Sequence, residues 1–426
     1  MSTTPTWTAE VFQNEYLPDG ATDVHAIVTV SSAGTGQAGE SGGAAEAIII
    51  DCSWSMGAPL AKIIAARKAA AAAIEEIADG TWFAVIAGVG LAEPVYPRTG
   101  MVQADQGTRA AAAEAVSRLT PQGGTAIGQW LVAAHEAFDR APATQRHAIL
   151  LTDGKNEGET AQQLAAAVQA VTGEFQCDCR GVGADWDVGE LRGIATALLG
   201  SVDLIADPAD MAADFLAMMQ TAMGRGVADA KLRVWAPQGA ELLFVRQVAP
   251  TIDDLTDRRV NVTPLITEYP TGAWGDESRD YHVAVRVAAK PVGSEQLAAR
   301  VQIEVGGEVV TQGLVKALWS DDSALTARIS PAVAHYTGQA ELAQVIQEGL
   351  AAKADGDIDT ATFKLGRAAK LAAETGNEEA TRRLEKIVDI EDADTGTVRL
   401  KRDVSKLDEM ALDTSSTKTT RVRPSS

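Results

Sequence analysis

Residues 47–57 read AIIIDCSWSMG, in which four apolar residues end on an acid and hydroxyls follow two and four positions later. An apolar run that stops at Asp51 and continues into Ser53 and Ser55 places three oxygen-bearing side chains at one strand end. Alternation along an extended segment turns Cys52 away from Ser53. Two later stretches, TPQGGTAIG and AILLTDGKNE, add a hydroxyl at Thr125 and a carboxylate at Asp153. Two carboxylates and three hydroxyls, with no histidine or thiol, form an oxygen-only donor set. That set suits a hard cation such as Mg²⁺ rather than zinc or copper. Three neutral donors offset little of the ion's charge, so the metal stays electrophilic toward one external ligand. A carboxylate fits that position.

The elements around these residues explain how they could meet. From Glu46 to about Gly224, short apolar runs (AIIID, WFAVIAGVG, HAILLTD, CDCRGVG, VDLIAD) alternate with alanine-rich helical segments such as APLAKIIAARKAAAAAIEEIA. That alternation predicts an α/β fold with helices on both faces of a mainly parallel sheet. In such a sheet ligands bind beyond the carboxyl ends of the strands, where strand order reverses. Asp51 and Asp153 both end buried strands, and Thr125 precedes a helix starting near Ile127. From Ala228 to about Trp319 helical spacing disappears, and LRVWAP, ELLFVRQV, YHVAVRVAA and ARVQIEVGGEVV read as antiparallel strands. The N-terminal strand around HAIVTV is unstable alone and finds partners only there. The expected organisation is therefore a discontinuous antiparallel β-sandwich (1–43 plus 226–320) interrupted by a doubly wound, Rossmann-like domain (44–225). A small helical domain (321–390) and a polar, disordered tail (391–426) follow, the tail offering hydroxyls from Thr414 onward to phosphorylation.

DCSWS, with Thr125 in GGTAIG and Asp153 in LLTDG, resembles the metal-ion-dependent adhesion site of the von Willebrand factor type A (VWA) family, whose pattern is D-x-S-x-S followed by distant Thr and Asp. All five positions match, and the likeness spans roughly 46–224. The resemblance implies Mg²⁺ or Mn²⁺ touched by the hydroxyls of Ser53, Ser55 and Thr125. Asp51 and Asp153 would hold coordinated waters or bind directly, and an Asp or Glu of a partner protein would complete the shell. The flanking sequences resemble bacterial, especially actinobacterial, cytoplasmic proteins that carry this domain inside a larger chain. The helical region resembles about one tetratricopeptide-like hairpin, too little for a stacked superhelix.

Composition narrows the remaining classes. With 37 Lys plus Arg against 58 Asp plus Glu, the net charge of −21 repels phosphate backbones and anionic lipid surfaces. No apolar run approaches the roughly 20 residues of a membrane helix. Neither nucleic acid nor a membrane is an expected partner, and a cytoplasmic location follows from the lack of a signal-like start. Cys52, Cys177 and Cys179 read as thiols. His25, His135, His147, His282 and His335 are scattered through strands and helices and read as structural. A phosphatase of the haloacid dehalogenase class needs a second acid two residues after its first, where Ser53 stands. A serine hydrolase needs a G-x-S-x-G turn and a histidine. GVGADW (181–186) lacks full nucleotide-binding spacing. The expected function is thus non-enzymatic, metal-bridged capture of an acidic partner residue. The alternatives are a regulatory or assembly subunit of an ATPase or a Ser/Thr kinase/phosphatase complex, and a metal-assisted hydrolase.

Overall fold

A computed structural model of the chain describes residues 5–36, 43–419 and 421. Two compact units emerge, Thr35–Ala228 with Gly272–Gly275, and Pro5–Gly34 with Asp229–Thr271 and Asp276 onward. The chain opens in the second unit with β1 (Thr6–Gln13), β2 (Tyr16–Leu17) and β3 (Asp23–Ala33).

The first unit is an α/β fold. β4 (Ala44–Asp51) is buried along its whole length, as a strand covered on both faces must be. It is followed by α1 (Ala61–Glu76), β5 (Trp82–Gly88), β6 (Ala92–Tyr96), β7 (Val102–Gln103), α2 (Gln106–Ser117) and α3 (Ile127–Phe138). Then come β8 (Gln145–Thr152), α4 (Ala161–Val171), β9 (Gln176–Val182), α5 (Val188–Ala197), β10 (Val202–Ile205) and α6 (Met211–Met223). The sheet order is β10-β9-β8-β4-β5-β6, with β7 also on β5, and only β6 and β7 run antiparallel. The chain leaves β4 toward β5 and later returns to β8 on the other side. Strand order therefore reverses between β4 and β8, which opens a crevice at their carboxyl ends. Ile50 lies opposite Leu151 and Asp51 opposite Gly88, so Asp51 is level with Thr152 and Asp153 is one step beyond.

Packing fixes this end of the sheet. Ile63, Ala66, Ala70 and Ile74 of α1 join Ile48, Ile50, Phe215 and Met219 in one buried cluster. Gly88 leaves room for Trp130 of α3, since a Cβ there would lie 2.5 Å from the indole ring. The Trp130 Nε1–H donates to Val89 O at 2.7 Å, tying the head of α3 to the end of β5. The glycines at the end of β9 have two causes. A Cβ on Gly181 would lie 1.9 Å from the Trp186 ring, and Trp186 Nε1–H donates to Gly183 O at 3.0 Å. Gly183 itself adopts φ +67°, the left-handed region that favours glycine.

Deep in the same sheet, His147 bridges three strands. Its Nδ1 lies 2.7 Å from Glu46 Oε2 and its Nε2 2.9 Å from Asp178 Oδ2. Burial opposes charge on the ring, but the Glu46 carboxylate and hydrogen bonds to Asp178 and Glu46 outweigh it and push His147 up to about 9. Burial also opposes ionisation of Asp178, and the His147 hydrogen bond and charge overcome it, holding that carboxyl well below its usual range.

In the second unit β11 (Lys231–Trp235), β12 (Glu241–Ala249), β13 (Asp253–Asp254), β14 (Val260–Thr263), β15 (Ile266–Pro270), β16 (Ser278–Arg286), β17 (Glu295–Val305) and β18 (Glu308–Trp319) join the N-terminal strands. They form two sheets, β1-β3-β16-β12-β13 and β14-β15-β11-β17-β18-β2. β3 pairs antiparallel with β16 from Asp23 opposite Arg286 to Ser31 opposite Ser278. The pairs are antiparallel except the short β2–β18 contact. The sheets face each other closely, since a Cβ on Gly313 of β18 would lie 2.6 Å from Val11 of β1 and 3.4 Å from Val28 of β3. α7 (Ser323–Thr326), α8 (Pro331–Ala354), α9 (Ile358–Glu374) and α10 (Glu378–Ile387) follow. α9 and α10 begin where Asp357 and Asn377 accept the amides of Thr360 and Ala380 at 3.1 and 3.0 Å.

The chain beyond 391 corrects the expected disordered tail. β19 (Val388–Asp392) and β20 (Thr397–Leu400) form a hairpin, and α11 (Lys406–Ser415) follows. Val388, Val398 and Leu412 are buried in one cluster with Ile346, Leu365, Leu371 and Leu384 of the preceding helices. A few apolar residues at the right spacing suffice in a segment whose average composition is polar. Thr414 is buried and donates to Met410 O at 2.8 Å, which removes it as an accessible modification site. Residues 420 and 422–426 of that reading lie outside the described residues. No described helix is long and apolar enough to cross a membrane.

Two outcomes follow. Leu412→Ala should lower the unfolding free energy by about 2–5 kcal/mol, the usual cost of emptying a core leucine site. Denaturant melts check this, because a disordered tail would tolerate the change. His147 is raised above its unfolded value of 6.5, so its contribution is complete below that pH and is lost as pH climbs through about 9. Asp178 is depressed, so its contribution is present above about 4 and is lost as pH falls through its folded value. The His147–Asp178 pair should therefore contribute most between about pH 4 and 6.5, and its contribution should decline toward 9. His147→Ala should flatten the decline and cost about 3–5 kcal/mol, measured by melts across that range.

Candidate metal centre

Asp51 ends β4 wholly buried, and two neighbours fix its carboxylate. Oδ1 accepts the Ser53 amide at 2.7 Å and Oδ2 accepts the Thr152 hydroxyl at 2.6 Å. Burial raises this carboxyl, the bonds from Ser53 and Thr152 pull it back, and the nearby Asp153 charge raises it again, leaving it at about 6. The second carboxylate, Asp153, is equally buried. Its Oδ1 accepts the Ser55 hydroxyl at 2.6 Å, and Ser55 Oγ lies 2.8 Å from Ser53 Oγ. Its Oδ2 accepts from Lys62 Nζ at 2.6 Å.

The serines have no capping duty. The single 3₁₀ turn Trp54–Gly57 has Ser53 at its N-cap without a side-chain capping bond, and α1 starts later, after Leu60. Their hydroxyls instead meet each other and Asp153.

Thr125 arrives on the loop ahead of α3, which is sewn to both strand ends. Gln122 N donates to Cys52 O at 2.6 Å, and Trp54 N donates to Gly123 O at 3.2 Å. On the other side Gly158 N donates to Thr125 O at 2.7 Å. The first turn of α3 is capped across the crevice, with Asn156 Oδ1 accepting Ile127 N at 2.8 Å and Glu159 Oε1 accepting Gly128 N at 2.6 Å. Gly123 adopts φ +69°, and a Cβ there would lie 3.3 Å from Gly90 N, so the loop needs glycine for its conformation and its close approach. Thr125 is itself buried. A Cβ placed on Gly154 would lie 3.2 Å from Ser55 Oγ and 3.5 Å from Thr125 Oγ1. The hydroxyls of Ser55 and Thr125, from separate loops, thus border one small space beside Gly154 and the Asp153 carboxylate.

The chemistry of this donor set fits a hard divalent ion. All five side chains offer oxygen, and the adjacent carboxylates call for a cation. Cys52 is turned into the core with Ile50, Met56 and Ile63, and burial pushes its thiol up to about 12. The sequence reading overlooked Thr152, Lys62, Asn156 and Glu159. Thr152 stands directly before Asp153 and could have been noticed. Lys62 carried a subtler sign, a cation in the first turn of a helix, where the dipole favours acids. Among the described residues a mixed donor group also occurs at His135, Asp139 and Glu174. There Arg146 Nη1 lies 3.2 Å from Asp139 and 3.8 Å from Glu174, so the acids already have a cation.

Comparison with known proteins bears on the family and the fold. Residues 47–203 match the family model for the von Willebrand factor type A domain, and residues 370–416 match that for the von Willebrand factor type A C-terminal domain. A von Willebrand factor type A structure from Catenulispora acidiphila is 48% identical, with a TM-score of 0.93 over 99% of this chain and 98% of that one. The ArnB paralog VWA2 from Sulfolobus acidocaldarius is 15% identical with a TM-score of 0.56 over 97% and 98% of the two chains, a likeness of fold. An uncharacterized protein of Synechocystis sp. is 29% identical over 230 residues, 53% of this chain and 52% of that one. The chain thus spans about half the length of this curated relative. The conclusion is that the chain belongs to the von Willebrand factor type A family, whose domains are generally non-catalytic protein-interaction modules.

Proposed function

We propose that this protein is a non-enzymatic interaction module that binds Mg²⁺ or Mn²⁺ and captures an acidic side chain of a partner protein. Ser53, Ser55 and Thr125 would hold the ion by their hydroxyls, with Asp51 and Asp153 binding directly or through water. The bound ion would supply an electrophilic position for a partner's Asp or Glu carboxylate. The observation that carries this reading is the gathering of hydroxyls from separate loops beside two buried carboxylates.

The surface around the centre supports a protein partner. Among the described residues of 43–228, the large apolar side chains that stay exposed are Trp54 (69%), Leu60 (58%), Ile64 (41%) and Leu91 (68%). Two of them stand beside the loop that carries Thr125. Trp54 lies between Ser53 and Ser55, and its amide donates to Gly123 O, whereas Leu60 and Ile64 stand two positions either side of Lys62 and face away from its buried amine. Leu91 caps the turn whose Gly90 lies against Gly123. Exposed apolar side chains gathered at one place mark contact surfaces. An acidic residue flanked by apolar ones matches both features. For hydrolysis through an aspartyl intermediate the proton donor is missing, since Ser53 holds its position.

The test begins with thermal melts. Millimolar Mg²⁺ should stabilise the protein relative to chelator, by about 2.7 kcal/mol if the ion stands 100-fold above its Kd. Asp51→Ala should abolish the difference while the chelated protein remains folded, and equal midpoints with and without ion would remove the basis for the reading. A pull-down from native lysate should then retain a partner only with Mg²⁺ and lose it in both Ser53→Ala and Trp54→Ser. Turnover of phosphate esters or peptides that vanishes in Asp153→Ala would replace the binding reading with a hydrolytic one.

A further inference from the structure

We infer that Lys62 is a built-in cation of the metal centre, which weakens divalent-ion binding and leaves the loaded centre with a surplus positive charge. The inference rests on the metal-binding reading and goes further, because it assigns the ion's affinity and the attraction for a carboxylate to one residue outside the D-x-S-x-S pattern.

Three observations carry it. The first is position, since Lys62 Nζ donates to Asp153 Oδ2 at 2.6 Å while the other oxygen of that carboxylate accepts from Ser55. The second is burial, with the Lys62 side chain 11% exposed and that of Asp153 fully buried. A pair so placed is screened far less than a surface ion pair, and removing one partner leaves the other charge uncompensated. The third is context. Lys62 is the second residue of α1, and the helix has no acid in its first turn. A cation at that end is opposed by the helix dipole, so local preference does not explain the residue, and Asp153 does.

Charge decides the consequence. Asp51 and Asp153 bring two negative charges and Lys62 returns one positive. A divalent ion takes the group to a net charge of plus one, whereas without Lys62 the loaded group would be neutral. The lysine thus opposes loading, because like charges share one carboxylate. It also holds the carboxylate pair together before loading and leaves a charge for an incoming Asp or Glu to neutralise.

The test is calorimetric titration of Mg²⁺ and of Mn²⁺ into wild type, Lys62→Met and Lys62→Arg, with melts of each in chelator and in about 10 mM Mg²⁺, a concentration chosen to exceed a weak site's Kd. Lys62→Met should bind at least about tenfold more tightly, equivalent to about 1.4 kcal/mol. It should also melt lower than wild type in chelator and gain more from the ion. Lys62→Arg keeps the charge and should bind as wild type does. If Lys62→Met folds only when Mg²⁺ is present, the inference is supported. Unchanged or weaker binding by Lys62→Met, or failure to fold even with Mg²⁺, overturns it. Equal binding by wild type and Lys62→Met would leave the metal-binding reading intact and sink only the lysine assignment. Binding by Lys62→Met alone would uphold the lysine and remove the ion from the natural protein, and binding by neither would end both.

Discussion

Two carboxylates buried side by side need positive charge, and the first unit is arranged around that need. Parallel register puts Asp51 level with Thr152 and sets Asp153 one residue further along the neighbouring strand. Both acids are fully buried, and each accepts two hydrogen bonds from within the protein. Burial without such donors would cost several kcal/mol per charge. The Ser53 amide, the hydroxyls of Thr152 and Ser55, and the Lys62 ammonium are the donors.

The rest of the α/β unit keeps those donors in place. Trp130 holds the head of α3 against the end of β5, through a contact that only glycine at position 88 permits. Asn156 and Glu159 cap α3 from the segment after β8, so the Thr125 and Asp153 loops are fastened to one another rather than to solvent. Backbone bonds from Gln122 and Trp54 close the third side. A centre held by three mutually bonded loops is preorganised, and little ordering remains for ligand binding. The exposed Trp54 and Leu91 then stand out, because nearly every other large apolar side chain of the unit is inside.

Much of this was legible in the sequence. Apolar runs that stop on Asp51 and Asp153 told of buried parallel strands, and the spacing of Ser53 and Ser55 told of a donor set. Thr125 stood just before a helix start near Ile127, which set it at a loop end. Lys62 was hidden because a lysine in a helix ordinarily reads as solvated, and only the fold brings its amine to Asp153 across 91 positions. The segment after 391 was misread for a related reason. Val398 and Leu412 are few among charged residues, and their burial depends on a groove that α8, α9 and α10 supply. Average composition does not see such a groove.

The buried acids, the neighbouring hydroxyls and the exposed Trp54 and Leu91 gain one explanation if a divalent ion sits among Ser53, Ser55 and Thr125. Crystals grown with Mn²⁺ and measured for anomalous scattering examine that directly. An ion in the centre gives an anomalous peak within bonding distance of the Ser53, Ser55 and Thr125 hydroxyl oxygens, about 2.0–2.3 Å for a hard divalent ion. A peak confined to His135, Asp139 and Glu174, or no peak near Asp51 and Asp153, would contradict it.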